Sequence, residues 1–299
     1  STYPVWAWGP ELLTFLDGDG NAWLAGPDLP PRQLTCFPAR HRVTQQPEQV
    51  CYASTGGVEV PALLLKPPEH SPGHSPAAVW VHGGPWAEAA SDLNSSNSRY
   101  LTALLDAGFV ILLPDYRGST GHGEGWEWVR EGQRGVVDVD DVVAGKRFLE
   151  ESGLAAPGRV ALAGYSYGGY LTCMALARGE SDWACAASLW GLLNPLQMPD
   201  AWSRDQHGND LPDLTDVAPL NYLHRMSVPL LILHGSQDGI ATLDEVNQTQ
   251  SALQNHGTPC EVRIFDDAHG LPLSTDKAVK HLVSFFRRYT SLAKRAGSK

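Results

Sequence analysis

The chain has 299 residues, 42% apolar and 18% charged, which excludes a disordered segment and allows one large α/β domain or two ordinary ones. Its 22 basic and 33 acidic side chains leave a formal charge of −11, which argues against nucleic acid or an anionic membrane surface as partner. No apolar run approaches membrane-spanning length, and five scattered cysteines (Cys36, Cys51, Cys173, Cys185, Cys260) without metal-ligand spacing read as free thiols of a reducing, cytoplasmic compartment.

In chain order, Glu11–Leu16 reads as a strand, Asp17–Asn21 as a turn and Ala22–Ala25 as a second strand, together a hairpin. The acidic turn resembles a calcium loop but lacks the later bidentate glutamate, so no metal is expected. Pro30–Pro47 reads as an extended connector. The expected division is 1–51, hairpin and connector, and 52–299, the main domain.

From residue 52 onward, strand-like runs occur at Val58–Leu65, Ala77–Val81, Phe109–Leu113, Val160–Ala163, Cys185–Leu189, Pro229–Leu233 and Cys260–Phe265. Helix-like runs occur at Ser98–Ala107, Val139–Ser152, Tyr167–Arg178, Leu243–His256 and Thr275–Lys294. The strands are nearly unbroken in apolar residues, as when helices cover both faces of a sheet. This alternation predicts a mostly parallel sheet with right-handed crossovers. Residues 193–226, rich in Asp, Asn and Pro, break the alternation and read as a cap near the sheet's carboxyl edge.

The chemistry is carried by Gly164-Tyr165-Ser166-Tyr167-Gly168, placed between a strand and a helix. A serine at such a tight turn projects its hydroxyl above the sheet, with small residues two positions either side. Ser166 is therefore the expected nucleophile. A serine hydroxyl needs a base, and the base needs an orienting acid. His269 follows the last strand and is the expected base. Asp238, after the preceding strand, is the expected acid, with Asp200 in the cap as understudy. Asp266 and Asp267 adjoin His269 too closely to reach its far nitrogen and read as helix-end or solvated carboxylates. An oxyanion needs donors. The Tyr167 N–H is one. The other is expected from His82-Gly83-Gly84-Pro85-Trp86, at the Gly84 N–H, since Pro85 has none. His82 is expected to fix that loop by hydrogen bonds. Trp86, Trp190, Leu192 and Leu193, together with Tyr167, are large apolar residues placed to wall an acyl pocket.

These pieces resemble the catalytic domain of the prolyl oligopeptidase family, in its acylaminoacyl-peptidase branch. The likeness rests on His82–Glu88, Asp115–Gly123, Gly164–Tyr170, the Asp238 loop and the His269 loop, and covers roughly residues 48–290. It implies an α/β-hydrolase fold, a Ser166–Asp238–His269 triad, and cofactor-free acyl transfer through a covalent acyl-enzyme on a small peptide or ester substrate. Two departures matter. Relatives carry a β-propeller ahead of the hydrolase domain, whereas here about fifty residues precede it, too few for one. The hairpin and Arg32–Thr35 resemble the tail of a last blade. Either the chain is cut from a longer protein, or a partner (a propeller segment or a second copy) completes it, or it works without one. Relatives also often carry an arginine two positions after the acid, where this chain has Ile240. That weakens a peptidase of short or N-acylated peptides against a carboxylesterase, thioesterase or acyltransferase. A binding module without chemistry is the remaining reading.

Overall fold

The structure, a computed structural model, describes residues 5–7, 13–16, 21–36, 42–128, 133–179, 182–195, 214–269 and 275–291. The N-terminal strands β1 (Val5–Ala7), β2 (Leu13–Leu16), β3 (Ala22–Gly26) and β4 (Leu29–Gln33) pair antiparallel in sequence order. The expected hairpin is the β2–β3 pair; its turn, residues 17–20, lies outside the described residues. β4 overlaps the start of the stretch expected to be a connector, Pro30–Pro47.

Each strand expected after residue 52 is present in one eight-stranded sheet. These are β6 (Glu59–Leu65), β7 (Ala77–Val81), β8 (Val110–Pro114), β9 (Val160–Tyr165), β10 (Ala186–Leu189), β11 (Leu230–Gly235) and β12 (Cys260–Phe265). The eighth strand, β5 (Glu48–Ala53), pairs antiparallel with β6 along its whole length. The expected division at 51/52 therefore falls inside a strand. β5 escapes a search for apolar runs because it is an edge strand, with mostly exposed side chains.

The spatial order is β12-β11-β10-β9-β7-β8-β6-β5, parallel from β12 through β8. The unbroken apolar strands follow from two covering layers. Every residue of β7 is buried. Val79 and Val81 face a cluster with α4 (Val137–Glu151), α5 (Tyr167–Arg178) and α6 (Leu243–Asn255). Ala78 and Trp80 face the other side, against α2 (Ser98–Asp106) and α7 (Thr275–Thr290); the short helices α1 (Ala89–Asp92) and α3 (Glu124–Glu127) follow β7 and β8. A buried valine such as Val79 or Val81, removed from water, stabilises the fold by about 1.5–3 kcal/mol. Of the expected cap 193–226, residues 214–225 form short 3-10 turns that pack on α5; residues 196–213, including Asp200, lie outside the described residues.

The chain leaves β7 for β8 on one side and returns to β9 on the other. The β7–β9 crevice is thus a topological switch point, where α/β sheets open a ligand site. Among the described residues no helix is long and apolar enough to cross a membrane. Nor, among them, do three or more His, Cys, Asp or Glu side chains gather to hold a metal. The five cysteines are free thiols.

Two buried carboxylates sit in the scaffold under opposite conditions, one paired and one unpaired. Asp141 of α4 takes Arg117 Nε at 2.9 Å and Nη2 at 2.7 Å, and the Arg117 backbone N–H at 2.9 Å. That fork ties the loop after β8 to α4. Glu245 sits in the first turn of α6, whose N-cap Thr242 accepts the Glu245 N–H. The Glu245 side chain is buried and neither carboxyl oxygen reaches a hydrogen-bond partner among the described residues. Burial pushes its carboxyl up to about 7, only partly countered by the nearby Thr242 N–H.

Arg117→Ala should lower unfolding free energy by about 3 kcal/mol, because it strands the buried Asp141 charge. Arg117→Lys should fall between, since ammonium cannot reproduce the fork. Denaturant melts of the three proteins test this order. For Glu245 the folded group holds its proton more tightly than the unfolded one, so its favourable contribution is complete below the ordinary value of 4.5 and is lost as pH rises through about 7. Glu245→Gln should therefore raise the melting temperature over the parent at pH 8, with the increment shrinking as pH falls toward 4.5. An increment independent of pH would contradict it.

Candidate active site

The segment 164–168 turns from β9 into α5 with Ser166 at φ +54° and ψ −115°, a conformation a non-glycine residue holds only under constraint. The constraint is steric. A Cβ on Gly164 would lie 2.1 Å from the Gly168 carbonyl oxygen. A Cβ on Gly168 would lie 2.0 Å from the Val81 carbonyl oxygen, so α5 begins in backbone contact with β7. The Ser166 N–H donates to the Leu189 carbonyl at 2.9 Å, and its carbonyl starts the helix by accepting the Tyr170 N–H.

The structure brings Ser166, His269 and Asp238 into one line. His269 Nε2 lies 2.9 Å from Ser166 Oγ, and Nδ1 lies 2.8 Å from Asp238 Oδ2. With Asp238 ionised, Nδ1 carries the proton and Nε2 accepts from the serine hydroxyl. Asp238 Oδ1 also accepts the N–H groups of Ile240 at 2.8 Å and Ala241 at 3.2 Å. Burial would raise this carboxyl. The His269 hydrogen bond, the Ile240 N–H, the attraction of His269 and the Ala241 N–H together hold it below the usual carboxylate range. Buried His234 braces the same loop, with Nε2 3.1 Å from the Ala241 carbonyl; burial lowers its pKa.

Strand spacing sets how far these loops must reach. β12 lies three strands from β9, roughly 14 Å away. The loop after β12 closes that gap by crossing the loop after β11. A Cβ on Gly235 would lie 2.4 Å from both the Asp267 and Ala268 carbonyl oxygens, so only glycine admits the crossing. Gln237 N–H bonds the Asp267 carbonyl at 2.9 Å, and Tyr165 OH bonds the His269 carbonyl at 3.1 Å. Asp266 is exposed and accepts from Gln237 Nε2. Asp267 departs from its expected solvated place: it is 3% exposed, folded under the crossing.

The loop after β7 runs beside the serine, since a Cβ on Gly83 would lie 3.3 Å from Ser166 Cβ. Gly84 follows at φ +132°, open to glycine alone. Tyr167 is the first residue of α5, so its N–H points out of the helix N-terminus. His82 is buried and bonds the Gly83 carbonyl at 2.7 Å and Ser119 Oγ at 2.8 Å, with burial lowering its pKa. The residues named for a pocket divide. Trp86 is 50% and Ile240 39% exposed, while Leu192 and Leu193 lie in the core. Trp190, at φ +48°, is buried and stacked against Phe265, with Tyr165 tilted against it. The Tyr167 ring points inward to Asp138, with its OH 2.6 Å from Oδ2.

Residues 115–123 turn out to build the platform under this loop, which inspection of the sequence did not reveal. Asp115 accepts the Ala89 N–H at 2.6 Å and pairs with His122 at 3.0 Å. Tyr116 OH donates to the His82 carbonyl, and the Thr120 N–H bonds the Ala87 carbonyl. Asp138, at the start of α4, was missed altogether. A polar residue in the first turn of an acidic helix carries no pattern that marks it as buried.

Comparison with known proteins identifies the family and the fold. A model of the prolyl oligopeptidase family matches residues 95–293. The acylamino-acid-releasing enzyme of Sus scrofa is 30% identical over 244 residues, 75% of this chain and 32% of that enzyme. Dipeptidyl aminopeptidase BIII of Pseudoxanthomonas mexicana is 29% identical over 211 residues, 65% of this chain and 30% of its own length. The chain thus spans about a third of the curated relatives it matches. Among solved structures, an acylaminoacyl peptidase of Pyrococcus horikoshii superposes with a TM-score of 0.75 at 22% identity, covering 100% of this chain and 51% of that one. A puromycin-hydrolyzing peptidase of Mycobacterium tuberculosis gives 0.76 at 22% identity, covering 96% and 47%. Those likenesses establish the α/β-hydrolase fold. With two thirds of its length matched by one family model, the chain belongs to the prolyl oligopeptidase family.

Proposed function

We propose that this chain is a serine peptidase acting on short peptides, N-acylated ones above all, through a covalent acyl-enzyme. The observation that carries the reading is the hydrogen-bonded line from Ser166 through His269 to Asp238. His269 Nε2 takes the hydroxyl proton as Ser166 Oγ bonds to the scissile carbonyl carbon, and the carbonyl electron pair moves onto oxygen. The N–H groups of Gly84 and Tyr167 receive that oxyanion. Collapse breaks the C–N bond, and the amine leaves with the proton from His269. Water, activated by the same imidazole, then releases the acyl group. Asp238 holds the imidazole tautomer and offsets its charge.

The substrate class is inferred from relatives named for releasing acylamino acids or dipeptides. One residue favours a second reading. Ile240 offers a substrate carbonyl no side-chain donor, and amide substrates need such positioning more than reactive esters do. The alternative is an esterase, thioesterase or acyltransferase on a small apolar acyl group. The N-terminal sheet has the four strands of one propeller blade, which supports association with a propeller segment. The free thiols and net charge of −11 support a cytoplasmic setting without nucleic-acid partners.

A fluorophosphonate should label the native protein once, and Ser166→Ala should abolish both labelling and turnover, by at least about 10³-fold. Turnover of an acetyl-peptide anilide beside an aryl ester separates the two readings: ester cleavage alone demotes the peptidase. Rate against pH gives a further check. Asp238 is held below the ordinary carboxylate value, so its own protonation does not intrude where a histidine base works. The acid limb should therefore report a single imidazole, with activity lost as pH falls; a flat rate from acid to neutral pH contradicts a histidine base.

A further inference from the structure

The two N–H groups assigned to the oxyanion come from different segments, one after β7 and one after β9. Each must sit 2.7–3.1 Å from an atom that exists only during reaction. The β7–β9 ladder fixes their bases but ends at the pair Val81 and Gly164. Beyond that pair, one segment is Gly83-Gly84 and the other is a strained elbow. Glycine backbone contacts bring the segments together, Gly83 beside Ser166 and Gly168 beside the Val81 and His82 carbonyls, and the side chains flanking those glycines fix how far apart they rest.

Directly beneath both segments lies a buried column of rings. The His82 ring stacks on Tyr116 with centroids 4.4 Å apart and planes 17° from parallel. Tyr116 stacks in turn on Tyr167 at 6.0 Å and 26°. All three residues are at most 4% exposed. His82 adjoins the Gly83-Gly84 pair and Tyr167 adjoins Ser166, so the column joins the two donor segments side to side. Both ends are anchored. Tyr116 OH donates to the His82 carbonyl at 3.1 Å, and His82 bonds Gly83 O and Ser119 Oγ. Tyr167 OH donates to Asp138 Oδ2 at 2.6 Å, and Asp138 also accepts the N–H groups of Val139 and Gly135. Burial pushes the Asp138 carboxyl up to about 6, while its three donors, the Tyr167 hydroxyl and two backbone N–H groups, pull it the other way and meet it as an acceptor.

We propose that the His82–Tyr116–Tyr167 column, anchored on Asp138, sets the separation of the two oxyanion donors, making Tyr116, Asp138 and the Tyr167 hydroxyl positioning residues for the reaction. The inference rests on the reading of Ser166 as nucleophile. Tyr167→Phe keeps the ring and the backbone N–H but cuts the Asp138 bond. Tyr116→Phe cuts the bond to His82. Asp138→Asn keeps an acceptor and weakens it.

The experiment measures kcat and KM on an anilide peptide, the inhibition constant of a peptide boronate, which forms the tetrahedral adduct, and that of the matching unreactive product peptide. Each variant should lose about tenfold or more in kcat and in boronate affinity, with KM and product-peptide affinity within about twofold. The Tyr116→Phe/Tyr167→Phe double variant should lose less than the product of the single losses, since both act through one column. Tyr52→Phe is the control: it removes an equally buried hydroxyl bond, to the Asp141 carbonyl, away from the site, and should keep parental kcat. If one variant fails to fold, the other two carry the test. Variants that match Tyr52→Phe in kcat and boronate affinity overturn the inference. Should Ser166→Ala keep parental turnover, the nucleophile assignment itself fails, a distinct result.

Discussion

Close backbone packing at the elbow is the constraint on which the site depends. Gly168 lies so near β7 that its missing Cβ would sit 2.0 Å from the Val81 carbonyl oxygen. This contact forces α5 to start hard against the sheet. It also holds Ser166 at a positive φ that the residue would not adopt alone. The energy of that strain is supplied by burial, since α5 is covered from Tyr167 through Ala177. An elbow on a half-exposed helix would relax, and the hydroxyl would rotate away from the crevice.

A second close approach, at Gly235, does for the acid and base what Gly168 does for the nucleophile. The strands carrying Asp238 and His269 are neighbours, yet Ser166 stands on a strand further in. The His269 loop therefore has to fold back over the Asp238 loop, and the crossing leaves no room for a side chain at Gly235. Once crossed, the two loops are tied by the Gln237 N–H and by Gln237 Nε2 to Asp266. The triad thus assembles from two backbone-to-backbone contacts, neither involving a catalytic side chain.

This explains what was legible in the chain. Runs buried on both faces announce themselves, so β7, β8 and β9 were read to within two residues. Ser166, Asp238 and His269 sit just past strand ends, where loop position and residue type suffice to single them out as candidates, and the structure places them in hydrogen-bond contact. β5 was not legible, because an edge strand with mostly exposed side chains has no apolar run to find. Asp267 reads as a surface residue because its burial comes from the loop crossing, a tertiary event. Asp138 and Tyr116 were hidden for the same reason. Their roles come from partners 29 and 34 residues away in sequence, and no local pattern encodes such a distance.

The charge around the site completes the argument. On the proposed mechanism, a chain of net −11 must not surround the developing oxyanion with bare carboxylates. Several carboxylates do lie close, and four of them are compensated where they stand. Asp141 is forked by Arg117, Asp115 pairs with His122, and Asp238 is capped by two backbone N–H groups as well as His269. Asp138 faces the site only through the Tyr167 ring, with its oxygens turned to a hydroxyl and to backbone N–H groups. Hydrogen-bond donors thus absorb the negative charge of the scaffold before it reaches the crevice, and the α5 N-terminus is left to present its positive end to the reacting oxygen.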